Sequence, residues 1–159
     1  GAPEQALQVL PSGDFQLRLA DGDRLSQQVP YRHGRMPRAG DALPDRVCVE
    51  AEVSAPGVLE ARAGGEPVML DFEATGRQRR CADISPRPDD EGLAFSLQLR
   101  GGALALREAM IFDHVQYGGL YDLEGRPGPL REPVRRMNRD FRSWPARCAG
   151  AWLAGLRRP

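Results

Sequence analysis

The stretch VCVEAEV, residues 47–53, shows the pattern that decides the fold. Apolar side chains occupy every second position, and a cysteine and two glutamates occupy the positions between them. The apolar set is Val47, Val49, Ala51 and Val53. Because successive side chains of a β-strand point to opposite faces of the sheet, this spacing predicts a strand with one face in a core and the other in water.

The same alternation recurs between residues 14 and 117. It predicts further strands in DFQLRLA (14–20), RLSQQVPY (24–31), GVLEARA (57–63), VMLDFEA (68–74), FSLQLR (95–100) and ALALREAMIFDHVQY (103–117). Turn-forming segments such as ADGD (20–23) and RGG (100–102) separate them. The pattern predicts an all-β domain over residues 1–121, an antiparallel β-sandwich or jelly roll of about eight or nine strands.

The character of the chain changes after residue 121. Residues 122–133, DLEGRPGPLREP, have the glycine and proline content of a connector. Val134, Met137, Phe141 and Trp144 then recur at helical spacing. This stripe predicts a C-terminal helical segment over residues 134–159. The segment packs on the sandwich, lies on a membrane surface or a partner, or leads into another domain.

The composition excludes several kinds of chemistry. All 22 basic residues are arginine, so the chain has no lysine for a Schiff base, for pyridoxal phosphate or for a phosphate-binding P-loop. A lysine-free chain is typical of a GC-rich bacterial genome. Residues 126–159 carry nine arginines and two acids, a net charge of +7, and the rest carries −7. An acidic body argues against nucleic-acid binding, and no apolar run is long enough for a membrane span.

The three cysteines, Cys48, Cys81 and Cys148, are too few and too scattered for a zinc site or a disulfide scaffold. Cys48 and Cys81 form a disulfide if the protein is exported, which leaves Cys148 free. Alternatively, all three are thiols in a cytoplasm. The sequence leaves the compartment open between these two.

The two histidines do not predict a catalytic centre. Asp113 and His114 are neighbours on a predicted strand, so they point to opposite faces and cannot form a dyad. No serine lies in a G-x-S-x-G motif, and the two histidines lack the spacing of zinc ligands. Paired carboxylates cannot be recognised in a single sequence. A hydrolase or transferase with such carboxylates is therefore an alternative function.

Two acidic loops are the candidates for a structural calcium ion. DGD (21–23) and DDEG (89–92) are rich in carboxylate oxygens, which calcium prefers. The same residues form ordinary turns, and we favour that interpretation. No other cofactor is predicted.

The stretch GRQRRCADIS, residues 76–85, resembles the arginine and Asp-x-Ser motifs of the PilZ domain. The resemblance implies a cyclic-dinucleotide sensor in which Arg77, Arg79 and Arg80 gather around Asp83. The spacing of the arginines differs from that of the family, and Pro88 stands where the motif has a glycine.

The strand pattern over residues 14–117, ending in AMIFDHVQYGG, resembles the β-sandwich carbohydrate-binding or accessory domains of bacterial surface-polysaccharide enzymes. The resemblance implies a non-catalytic module that binds glycan or supports a neighbouring domain of a longer chain. Aromatic residues make up only 6% of the chain, so we expect a polar binding rim. Its candidate ligand-binding residues are Arg32, His33, Arg35, His114, Tyr117 and Tyr121.

Overall fold

The computed structural model describes residues 7–11, 15–29, 46–89, 92–112, 126 and 155–159, and these ranges consist almost entirely of β-strands joined by turns. The strands are β1 (Leu7–Val9), β2 (Phe15–Ala20), β3 (Arg24–Val29), β4 (Arg46–Ala55), β5 (Gly57–Ala63), β6 (Val68–Phe72), β7 (Gly76–Asp83), β8 (Leu93–Arg100), β9 (Ala103–Phe112) and β10 (Leu156–Arg157).

The strands form two five-stranded antiparallel sheets. The first sheet has the order β1-β2-β9-β4-β7, and the second has the order β10-β3-β8-β5-β6. Without the short edge strands β1 and β10, each sheet holds four strands in the order of a jelly roll. The sequence-based prediction of an antiparallel sandwich or jelly roll is therefore confirmed.

The two ends of the sandwich differ in their connections. Four tight turns cross between the sheets at one end, called here the turn end; they join β2 to β3, β4 to β5, β6 to β7 and β8 to β9. At the opposite end, the loop end, 16 residues (30–45) separate β3 from β4, and nine (84–92) separate β7 from β8. The loop end therefore has the chain length available for a binding site.

The core lies between the sheets and follows the period-two pattern of the sequence. All four apolar residues of VCVEAEV are buried, and so are Leu70, Leu97 and Leu99 on the facing sheet. Among the described residues, Phe72 is the largest fully buried side chain, whereas Met69 on the same strand is 52% exposed. The predicted inward face is confirmed. On the predicted outward face of β4, Cys48 departs from the prediction because it is fully buried.

The RGG turn between β8 and β9 packs against the turn between β4 and β5. Gly101 and Gly102 have φ angles of +72° and +70°, in the left-handed region. A Cβ atom on Gly102 would collide with the carbonyl oxygens of Ala55 and Pro56, whereas one on Gly101 would meet nothing within 4 Å. Gly102 is therefore required for close packing as well as for its backbone angle.

Three parts of the prediction fail where the structure describes them. The edge strand β1 (Leu7–Val9) lies before the alternating segments, and we did not predict it. The segment over β7 has no apolar alternation, and we did not predict a strand there. The predicted helix over residues 134–159 is wrong at its end, because Leu156–Arg157 form β10. Leu156 lies opposite Leu25 of β3 and is buried, so the free edge of β3 and a core position favour a strand. Residues 134–154 lie outside the described ranges.

Candidate functional site

The six residues predicted to contact a glycan lie outside the described part of the chain, but both segments that carry them join the sandwich at the loop end. One segment lies between Val29 and Arg46, and the other follows Phe112. Arg46 and Phe112 are direct partners in the register of β4 and β9. The strand residues that border the two segments are thus adjacent on the first sheet.

Next to this position, the outer face of the first sheet carries an ion-pair network. The register sets Glu50 of β4 opposite Arg79 of β7 on one side and Glu108 of β9 on the other. The guanidinium of Arg79 lies 3.3 Å from a carboxylate oxygen of Glu108 and 4.0 Å from one of Glu50. Arg77 donates to Glu50 at 2.8 Å. Opposite charges on neighbouring strands therefore hold β7, β4 and β9 together.

Arg79 is the most buried member of this network. Its side chain is only 9% exposed, and it also donates to Met110 Sδ at 3.5 Å. A guanidinium so removed from water needs carboxylate partners, because burying an unpaired charge is costly. Arg79 thus has a structural part in joining the three strands.

Arg80 points away from this network, around the edge of the sandwich. Its Nε donates to the carbonyl oxygen of Asp71 at 2.9 Å, and its two terminal nitrogens donate to Arg79 O at 2.9 Å and to Gln78 Oε1 at 2.7 Å. Asp71 belongs to β6, the edge strand of the second sheet. Arg80 therefore connects the edges of the two sheets and is itself held in one orientation.

A shallow depression of about 520 Å³ lies beside β7. Its lining residues are Arg46, Arg77, Gln78, Arg79, Arg80, Cys81 and Arg126. Every charged side chain of this lining is an arginine. We call this feature the arginine depression.

A second depression, of about 310 Å³, adjoins the first and shares Arg80 and Cys81 with it. Its other lining residues are Met69, Leu70, Asp71 and Glu73. Arg80 thus lies between a region lined by arginines and a region that carries two carboxylates. We call the second region the acidic depression.

A disulfide joins Cys48 and Cys81 in the wall of these depressions. The two residues are direct partners on β4 and β7, and their Cα atoms are 4.1 Å apart. Of the two alternatives that the sequence left open, the structure contains the bridged one. The bridge fixes the edge strand that carries Arg77, Arg79 and Arg80.

The geometry implied by the PilZ resemblance is incomplete. Arg77, Arg79 and Arg80 do line one depression, but Asp83 is not part of that lining. Asp83 instead accepts a hydrogen bond from Arg46 at 2.8 Å. The structure therefore brings the three arginines together but does not place Asp83 among them, as the cyclic-dinucleotide arrangement predicted from residues 76–85 requires.

The carboxylates of the two acidic loops accept hydrogen bonds from backbone N–H groups in or beside turns. Asp23 is only 3% exposed, and its Oδ2 accepts a hydrogen bond from the backbone N–H of Ala20 at 2.8 Å. Asp21 accepts from Gly101 N at 2.7 Å, and Asp89 accepts from Gly92 N at 3.1 Å. Among the residues that the structure describes, no three histidine, cysteine, aspartate or glutamate side chains are grouped as metal ligands.

Two further findings concern a catalytic pair of carboxylates and a membrane span. Glu50 and Glu108 are both contacted by Arg79, so these neighbouring carboxylates form part of an ion-pair network. In the same described ranges, no helix combines the length and the apolar character needed to cross a membrane.

Our sequence reasoning missed Arg46 and Arg126 as members of the arginine depression, and Glu50 and Glu108 as partners of its arginines. One usable signal was present. Arg77 and Arg79 are two residues apart, as are Glu50 and Glu52. Two arginines at this spacing on one segment and two glutamates at the same spacing on another indicate that the two segments pair as strands, with the opposite charges facing each other. The pairing of β4 with β7 was the missing information.

Comparison with known proteins relates the chain to solved structures only. No family model and no curated protein matches it. It is similar to a family 6 carbohydrate-binding module whose binding sub-sites were dissected by crystallography and calorimetry, with a TM-score of 0.50 and 11% identity over 68% of this chain and 82% of that one. It is also similar to CsCBM6-3 from Clostridium stercorarium, in complex with cellobiose, with a TM-score of 0.49, 15% identity and the same coverage. The resemblance to β-sandwich carbohydrate-binding domains is thus confirmed at the level of the fold.

Proposed function

We propose that this chain is a non-catalytic glycan-binding module, accessory to a bacterial polysaccharide enzyme or to a neighbouring domain. The observation that carries the proposal is the jelly roll, whose two sheets match those of a carbohydrate-binding module at a TM-score of 0.50. The fold alone does not determine a function, so the binding site must supply the rest of the argument.

The proposed site lies at the loop end. The candidate ligand-binding residues are Arg32, His33, Arg35, His114, Tyr117 and Tyr121. Support comes from the register, because the segments that carry them are anchored at Arg46 and Phe112, which are direct partners. Binding residues are commonly placed on loops that a rigid scaffold positions.

The chemistry of these residues suits a sugar. Arginine and histidine side chains donate hydrogen bonds to hydroxyl groups. A tyrosine ring supplies a flat apolar surface for the C–H face of a sugar ring, and its hydroxyl group remains available for a hydrogen bond. A rim of this kind binds a glycan through few aromatic residues, which agrees with the low aromatic content of the chain.

The disulfide supports an exported location for this function. Disulfides persist in oxidising compartments and are rare in the cytoplasm. The Cys48–Cys81 bridge therefore favours the periplasm or the cell exterior, where surface polysaccharides are found. We include export in the proposal.

The experiment is a thermal-shift screen of the protein against bacterial surface saccharides. A ligand at a hundredfold excess over its Kd adds about 2.7 kcal/mol to the free energy of unfolding. In a domain of this size, that gain corresponds to a rise in Tm of several degrees. Cyclic di-GMP and calcium are included as probes of the alternatives.

Variants locate the site. We expect the shift with a saccharide to disappear in Tyr117→Ala and in Arg32→Ala. Arg100→Ala is the control for the second variant, because Arg100 is an exposed arginine at the turn end. A shift with cyclic di-GMP and with no saccharide would contradict the proposal, as would a saccharide shift that Arg100→Ala removes and Arg32→Ala leaves intact.

A further inference from the structure

We infer that the arginine depression and the acidic depression together bind an acidic saccharide, a glycan that contains uronic acid units. This inference rests on the proposed glycan-binding function and names a class of ligand for it. The proposed contact surface lies along β7, on the side of the sandwich, and includes Arg46, the residue at which one of the rim segments meets the first sheet.

Arginine side chains converge on the side of the sandwich. Five arginines line one depression, and they come from β4, from β7 and from position 126. A guanidinium presents its N–H groups in a planar fork that matches the two oxygens of a carboxylate. Arg46, Arg77 and Arg79 also contact Asp83, Glu50 and Glu108. The lining therefore favours an anion that competes with these carboxylates for the guanidinium groups.

Arg80 is held in one orientation by uncharged groups. Its three hydrogen bonds all go to uncharged acceptors, two backbone carbonyls and the amide oxygen of Gln78. These bonds use three of the five N–H donors of the guanidinium, and among the described residues no carboxylate forms an ion pair with it. Arg80 is thus held in a fixed orientation while its charge is not balanced by an ion pair. Such preorganisation lowers the entropy lost when a ligand binds.

The two depressions are lined by side chains of opposite charge. Asp71 and Glu73 line the region on one side of Arg80, and arginines line the region on the other. Carboxylates accept hydrogen bonds from sugar hydroxyl groups, but they repel a dense polyanion such as a polyphosphate. A uronic acid chain presents both a carboxylate and hydroxyl donors, so it satisfies both regions at once. The open, shallow shape suits a chain that passes over the surface.

The test compares two ligands of the same length by titration calorimetry. One is an oligogalacturonate, and the other is its methyl ester, which keeps the hydroxyl groups and the shape but removes the charge. The acid form should bind at least tenfold more tightly than the ester, about the effect expected for charge-assisted hydrogen bonds.

A double variant and a matched control then locate the site. Arg77→Gln/Arg80→Gln removes two charges from the arginine depression. Arg62→Gln/Arg100→Gln removes two charges from the second sheet, where both arginines are exposed and both contact Glu60. Arg77 and Arg100 are closely matched, because their side chains are 56% and 57% exposed and each forms an ion pair with a glutamate. We expect the first variant to weaken oligogalacturonate binding at least tenfold and the control to change it less than twofold.

The outcomes separate this inference from the proposed function. Equal affinity for acid and ester, equal losses in both double variants, or unchanged binding in the first variant would overturn the inference. If neutral glycans bind and oligogalacturonate does not, the proposed function stands and the inference fails. If no glycan binds, both fail. If the first double variant does not fold, Arg77→Gln alone decides, because its side chain is largely in solvent.

Discussion

Breaking the disulfide between Cys48 and Cys81 should lower the free energy of unfolding by about 4 kcal/mol. The two cysteines are 33 residues apart in the sequence, so the bridge closes a loop of that size in the unfolded chain. Chain-entropy arguments assign a loop of this length a stabilisation between about 3 and 5 kcal/mol. For a domain of 159 residues, the corresponding fall in Tm is about 8–15 °C.

The assay is thermal unfolding of Cys148→Ala protein, oxidised and reduced, because this background excludes bridges made by the third cysteine. The reduced sample is unfolded, treated with reductant and refolded, since Cys48 is fully buried. In the unsubstituted chain, thiol titration under denaturing conditions should find one free thiol before reduction and three after it. A control without any cysteine should show no effect of reductant. Equal Tm values for the oxidised and reduced forms would refute the reasoning.

Three further predictions concern stability and can be measured by denaturant unfolding. Gly102→Ala should cost about 2–5 kcal/mol, because it adds a clash to the backbone strain, whereas Gly101→Ala should cost only about 1–2 kcal/mol; equal costs would contradict this. Phe72→Ala should cost about 3–5 kcal/mol and Met69→Ala less than about 0.5 kcal/mol, and a reversed order would show that the inward face is misassigned. Asp23→Ala should cost about 1–3 kcal/mol because it leaves a backbone N–H without its acceptor, and no loss of stability would contradict that role.

Much of the fold could be predicted because the core-facing residues of most strands alternate with polar ones. The stretch VCVEAEV contains the pattern of a half-buried strand, and the turns between such strands are marked by glycine, proline and aspartate. These local signals depend only on the residue types within a few positions. They were therefore sufficient for β4, β6 and β8.

The strand β7 could not be predicted in this way. It is held in the sheet by its pairing with β4 and by the disulfide, and its own sequence, GRQRRCAD, does not alternate apolar with polar residues. For β10, only two residues pair with β3, and the helical spacing of residues further upstream gave the opposite expectation. In both cases, contacts made by residues distant in sequence decide the structure.

The candidate site shows the same limit. The sequence identified Arg77, Arg79 and Arg80 as a cluster, because they are close together along the chain. It could not show that Arg46 and Arg126 join them, since those positions become neighbours only when the strands pair. It also could not show that Arg80 separates two regions of opposite charge.

The surface of this sandwich is chemically uneven. The turn end carries tight crossings stabilised by buried Asp23 and by Gly102. The side along β7 carries the arginines, and the loop end carries the longest connections. We expect changes at the turn end to affect stability, and substitutions of the exposed Arg77 or of the loop-end candidate residues to affect binding.

The most direct test of the central claim is a calorimetric titration of the protein with the saccharide that gives the largest thermal shift. A non-catalytic binding module predicts heat pulses that return to the baseline after each injection and decrease to saturation. A sustained heat flow after each injection would indicate turnover of the glycan and would contradict the account. The absence of saturable heat across the whole panel of saccharides would contradict it as well.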